Sequence, residues 1–200
     1  MAGFQDIVEI QQSMTVNNRR TIGQQISRSG QLRVAQYLTS VPWVFTITPH
    51  SFLYYPQARA IIQAIDNLDR QLPQTITFQS SNLSWFTKMQ GTATSATLAN
   101  TPVPNSQTLT LSSNGTYKAG DFIELGGYVY KVTDDSAGTT VNIHRPVIGS
   151  PTAGATITLG NAVSFNVVAE QCPTYTLMPM TNGAFVKWDN PFIFREDVAN

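Results

Sequence analysis

Few residues in this chain are suited to catalysis or metal binding, and their spacing argues against both. It has two histidines, His50 and His144, one cysteine, Cys172, and twelve carboxylates. His50 follows a proline and His144 sits in Asn-Ile-His-Arg-Pro-Val, so each falls at the end of an extended segment. Neither has the His-x-Glu or helical His-pair spacing of a zinc site, and surface or interface histidines are the plainer reading. Asp134-Asp135 lacks the alternating oxygen donors and terminal glutamate of a calcium loop, which leaves a solvated turn. Asp121 and Glu124 are three apart on an extended segment and point to opposite faces, against a paired acid and base. No nucleophile elbow, phosphate-cradling loop or dinucleotide fingerprint is present. The expectation is a non-enzyme with no cofactor and no metal.

The one local concentration of positive charge is Arg19, Arg20, Arg28 and Arg33. Phosphate binding is one use, but no aromatic residues are interleaved as a single-strand groove requires. Salt bridges between subunits, or a solvated loop, fit better. Loops this long in a compact domain are commonly functional, and guanidinium groups suit a neighbour's carboxylates, so Arg19, Arg20 and Arg28 are the candidate subunit contacts.

The elements that must position these groups are mostly strands. Charged residues make up 12% of the chain, about half the usual share, and Ser, Thr, Asn and Gln replace them. Threonine in nearly every segment favours extended structure. Formal net charge is zero, which leaves no field to gather nucleic acid. Such a surface is better understood if neighbours cover much of it. One cysteine excludes an internal disulfide, and Cys172 reads as a small buried hydrophobe. Neither a secretion signal nor a membrane span is expected, because no basic-then-apolar leader and no run of eighteen apolar residues occurs.

Val8, Ile10, Gln12, Met14 and Val16 alternate like a strand, and Arg19 to Gly30 reads as a polar loop. Val41, Trp43, Phe45 and Ile47 share one face of the clearest strand, with Pro42 marking an edge or a start. The one helix expected runs over 56–70, opened by Pro56 and stopped by Pro73. Ala58, Ile61, Ile62, Ile65 and Leu68 form its apolar stripe. Strand, helix and strand here allow a parallel crossover, but with no second helix expected a β-barrel or sandwich with one covering helix fits better.

Residues 91–105 are rich in Thr, Ala and Pro and read as a linker. Short alternating runs follow, with Gly126-Gly127 as a two-residue hairpin turn. Charge changes between regions: net +3 over 1–90, −2 over 91–179 and −1 over 180–200. The aromatic-rich end resembles the first region in composition. The predicted division is therefore a β core from 1–90 joined by 180–200, carrying an inserted small antiparallel β domain over 91–179.

Taken in order, the segment from Val41 through the Ala58-Arg59 helix and its Leu68 turn to Phe78, then Gly120-Asp121-Phe122, Val132-Thr133 and His144-Arg145-Pro146-Val147, resembles the distal tail and baseplate hub proteins of tailed bacteriophages. It departs from them at the last of these, where the family often has a proline-proline-aliphatic-arginine motif. The resemblance spans about Val41 to Arg145 and implies a tail-tube-like split barrel flanked by a helix. It further implies a virion protein of the tail or baseplate, assembled in the host cytoplasm. Its partners would be copies of itself in a ring, hexameric by that likeness, and other tail proteins. The rival expectation is a carbohydrate- or receptor-binding module using Tyr128 and Tyr130 as exposed aromatics.

The helix assignment carries a test. Ile65→Asp should prevent folding, because an unpaired buried carboxylate costs several kcal/mol against a total stability of about 5–15 kcal/mol. A soluble variant that melts like the parent contradicts the assignment.

Overall fold

The computed structural model describes residues 3–19, 22–26, 28, 30–36, 41–67, 72–180 and 183–198. The chain is mainly β and flanked by helix, as its threonine content and alternating runs predict.

The amino-terminal end differs from the expected strand. Residues Gly3–Glu9 form a helix, α1, and the first strand, β1, is Gln11–Asn17. Phe4, Ile7 and Val8 are buried, at i, i+3 and i+4. The alternation from Val8 to Val16 therefore crosses an element boundary, and only its second half is a strand. Gly3 lets α1 approach a second helix closely, since a Cβ there would stand 3.1 Å from Ala64 Cβ. The amide of Gln5 donates to the Thr77 carbonyl (3.1 Å) and accepts from the Thr77 N–H (2.8 Å). It thereby occupies part of a sheet edge that a further strand would otherwise use.

Arg19 to Gly30 is not simply a loop. It contains β2, Ile22–Ile26, which pairs with β3, Leu32–Gln36, as an antiparallel hairpin. Next come β4, Val44–Pro49, and β5, Leu53–Tyr54. Helix α2 is Tyr55–Asn67 and buries Ala58, Ile62 and Ile65. Its beginning agrees with Pro56 at a first-turn position, while Leu68 and the rest of the predicted end lie outside the described residues. Strand β6, Gln74–Thr77, follows.

The middle of the chain supplies β7, Ala96–Thr97, β8, Thr108–Tyr117, β9, Phe122–Leu125, β10, Tyr128–Lys131, β11, Ser136–Asn142, and β12, Thr156–Leu159. The end supplies β13, Ser164–Gln171, β14, Tyr175–Met180, β15, Gly183–Trp188, and β16, Phe192–Glu196.

The principal sheet has the order β1-β4-β16-β13-β6, with every pairing antiparallel. It curls into a half-barrel. β4 and β6 stand three antiparallel steps apart and so run in opposite directions, which rules out the parallel crossover. Val41, Trp43, Phe45 and Ile47 are all buried, as their spacing predicts. Trp43, Phe45 and Ile47 pack with Phe78, Phe165, Phe192 and Phe194 over the buried stripe of α2 and the side chains of α1. Ring centroids lie 5.0 Å apart for Phe45 and Phe165 and 4.5 Å for Phe4 and Phe194. Each such ring contributes about 1.5–3 kcal/mol by burial.

A second core gathers Leu109, Leu111, Tyr117, Ile123, Tyr130, Val141 and neighbours between the sheet β10-β9-β12-β7 and the pair β11-β8. Gly126 and Gly127 make the predicted two-residue turn between β9 and β10, with φ of +64° and +82°. Positive φ at both positions suits glycine and the twist of a hairpin.

Sheet membership moves the expected boundary at 179. Strand β13 lies between β16 and β6 in the principal sheet, with Phe165 and Val167 in the first core. Strand β14 pairs with β15, and β15 with β5. The strands around the second core thus end at Leu159. Ser-Phe-Asn-Val-Val-Ala alternates just as the preceding runs do, so no local signal separates β13 from them.

Candidate functional site

Of the three candidate arginines, the two that are described, Arg19 and Arg28, do not form one site. Arg19 is exposed just before β2, and its backbone N–H bonds to Asn17 Oδ1 at 3.0 Å in a local turn. Arg28 is exposed in the turn that joins β2 to β3. The five residues of β2 lie between them, roughly 17 Å of extended chain, so they mark the base and the tip of a hairpin. Arg20 lies outside the described residues, as do the side-chain surroundings of Arg33.

The other polar residues singled out by sequence hold the fold. Asp121 is buried and accepts three backbone N–H groups, from Gln90 (2.7 Å), Gly91 (3.0 Å) and Lys118 (2.8 Å). It fastens the predicted linker to the start of β9. Asp135 accepts from Lys118 Nζ (2.6 Å) and from the Ala119 N–H (3.0 Å). These bonds, with that to Lys118 the larger, hold its carboxyl below the usual range. Asp134-Asp135 is therefore partly a clasp for the neighbouring turn, beyond the bare solvated turn expected. Glu124 takes the Ser164 N–H at 2.8 Å and the Ser164 hydroxyl at 3.0 Å.

His50 is exposed, whereas His144 Nδ1 accepts the Lys131 N–H at 2.9 Å and its ring lies 5.2 Å from that of Trp43. Among the described residues no group of three or more His, Cys, Asp or Glu is placed to hold a metal ion. Cys172 is half-buried and packs against the first core. Tyr130, expected to be exposed, is fully buried: its hydroxyl accepts the Ile148 N–H at 2.9 Å, and burial pushes its pKa up.

The group that sequence reasoning missed is Arg145. Its side chain is 1% exposed and makes a two-pronged ion pair with Glu196, Nη1 to Oε2 and Nη2 to Oε1, both at 2.6 Å. Nη1 also donates to the Val41 carbonyl (2.9 Å) and Nη2 to the Val129 carbonyl (2.8 Å). Glu196 accepts the Trp43 N–H as well, at 3.1 Å, and the Trp43 indole donates to the Val129 carbonyl at 2.9 Å. The guanidinium lies 5.2 Å from the Tyr130 ring centroid. Arg145 lies between β11 and β12 among the segments of the second core, Glu196 ends β16 of the principal sheet, and Val129 belongs to β10. One ion pair therefore ties the two cores together. The only local hint was an arginine between a histidine and a proline, which names no partner.

One further feature faces outward. The three-stranded sheet β14-β15-β5 leaves Tyr54, Tyr175 and Leu177 exposed, Leu177 at 57%. β14 is its edge. Among the described residues no helix is long and apolar enough to cross a membrane.

Set beside known proteins, the chain matches no family model and no curated protein.

Loss of the tie should be measurable. Arg145→Met leaves Glu196 as an uncompensated buried charge and should cost about 3–5 kcal/mol in urea unfolding. Arg145→Lys keeps the charge without the fork and should lose less. A loss under about 1 kcal/mol for Arg145→Met would show that the pair does not join the cores.

Proposed function

We propose that this chain is a structural protein of a tailed-bacteriophage virion, forming a ring at the tail tip or baseplate that joins the tail tube to the tip. The observation that carries the reading is the open sheet β14-β15-β5. The edge strand β14, which carries the exposed Tyr175 and Leu177 on one face, is a surface that free proteins usually blunt or cover. A second copy or another tail protein covers it in the proposed assembly, and a closed ring of identical subunits leaves no such edge unpaired. The charge-poor composition supports the same reading, since a neutral surface is suited to permanent contact. So does the antiparallel half-barrel with its flanking helices, the fold type that the resemblance implies.

In this reading the β2-β3 hairpin is an arm. Arg19 at its base and Arg28 at its tip reach carboxylates of a neighbouring subunit, with Arg20 beside Arg19 in sequence. Localisation is the virion after assembly in the host cytoplasm, and no nucleic acid is recognised specifically.

The arm supplies the test. Arg19→Glu combined with Arg20→Glu should leave the circular dichroism spectrum unchanged. It should raise the concentration needed for ring formation by at least about tenfold in sedimentation, because repulsion replaces attraction at a repeated interface. Rings that form at unchanged concentration and salt show that the hairpin is not an assembly contact. A parent chain that stays monomeric at every concentration contradicts the ring itself.

A further inference from the structure

The face of the principal sheet turned away from the first core is not uniformly open. Ser164 and Asn166 of β13 alternate with the buried Phe165 and Val167, and Thr75, the register partner of Asn166, neighbours the buried Ile76. These polar residues therefore lie on the opposite face. The β9-β10 hairpin stands over them and leaves a cleft of about 500 Å³, within the usual range for small-molecule sites. Glu124 and Tyr128 of the hairpin line it, with Asp197 just beyond β16. Both walls are fixed. Ser164 is hydrogen-bonded to Glu124 across the cleft, and the Asp197 N–H donates to the Asn166 carbonyl at 2.9 Å. The turn glycines, Gly126 and Gly127, put no side chains over the opening.

The remaining polar groups are uncommitted. The Asn166 amide, the Thr75 hydroxyl and the Asp197 carboxylate make no side-chain hydrogen bond to any described residue. Together they offer donors and acceptors beside one aromatic ring. An anion is disfavoured by two carboxylates, and an apolar ligand by a lining with one ring and five polar side chains. A bare cation is poorly served, because both Glu124 oxygens are engaged by Ser164, leaving one free carboxylate where calcium gathers about six to eight oxygens. Hydroxyl groups both donate and accept, which is what this set matches.

We infer that the cleft between the β9-β10 hairpin and the β13-β6 edge binds a sugar residue, its ring against Tyr128 and its hydroxyls on Asn166, Thr75 and Asp197. This goes beyond ring assembly and does not depend on it. The experiment is saturation-transfer NMR of the full chain with free glucose, galactose, rhamnose and N-acetylglucosamine. A parallel array carries oligosaccharides ending in the same residues. Binding in the NMR arm identifies a site complete for one residue, and binding on the array alone identifies a site within a longer glycan. Either supports the inference if Asn166→Ala and Asp197→Asn each weaken it by at least about tenfold with the melting curve unchanged. Trp85→Ala, which removes an aromatic residue 69% exposed and outside the cleft, should bind as the parent does. The inference is overturned by no binding in either arm, by binding that survives both cleft substitutions, or by calcium stabilising a chain that binds no sugar.

Discussion

The interaction on which this structure depends is the buried pair between Arg145 and Glu196. Burying two charges is costly, and their attraction offsets it only with good geometry and further hydrogen bonds. Both conditions are met here. The guanidinium presents its two terminal nitrogens to one carboxylate and to the carbonyls of Val41 and Val129, leaving only Nε without a hydrogen bond to a described residue. The carboxylate also takes the Trp43 N–H. Four segments separate in sequence converge on a few atoms, and a displaced segment would leave a charge or carbonyl unpaired.

That constraint explains how two cores act as one. Phe122 and Val129 belong to the middle strands yet pack in the first core, beside Trp43. The β9-β10 hairpin is thus gripped on one side by aromatic packing and on the other by the ion pair. Glu124 to Ser164 adds a third attachment at its far end. Such a junction suits a protein whose proposed work is geometric, because forces at a subunit interface pass through it without hinging. It also holds the proposed sugar cleft to a fixed width.

What could be read from the sequence follows from what is local. Val41, Trp43, Phe45 and Ile47 announce their strand by period two, α2 its stripe by helical spacing, and Gly126-Gly127 its turn by chemistry that few other residues supply. Helix α1 was hidden because Val8 and Ile10 happen to continue the alternation of the strand that follows. β13 was assigned to the insert because a strand's pattern says which face is buried but not which core buries it. Arg145 and Glu196 are 51 residues apart, and neither carries a local mark of burial. Tyr130 looked like a surface aromatic for the same reason: the Ile148 N–H that satisfies its hydroxyl comes from a distant segment. Arg19 and Arg28 fall within one short polar stretch of sequence, but the β2 strand between them sets them apart in space.

The central claim is that the ion pair and the rings around it make one cooperative unit of both cores. Scanning calorimetry of the intact chain, at a concentration where it is monomeric, tests this directly. The account predicts a single transition whose calorimetric and van't Hoff enthalpies agree, the mark of two-state unfolding. Two resolved transitions, or a calorimetric enthalpy about twice the van't Hoff value, would show that the cores melt independently and that the pair does not govern the fold.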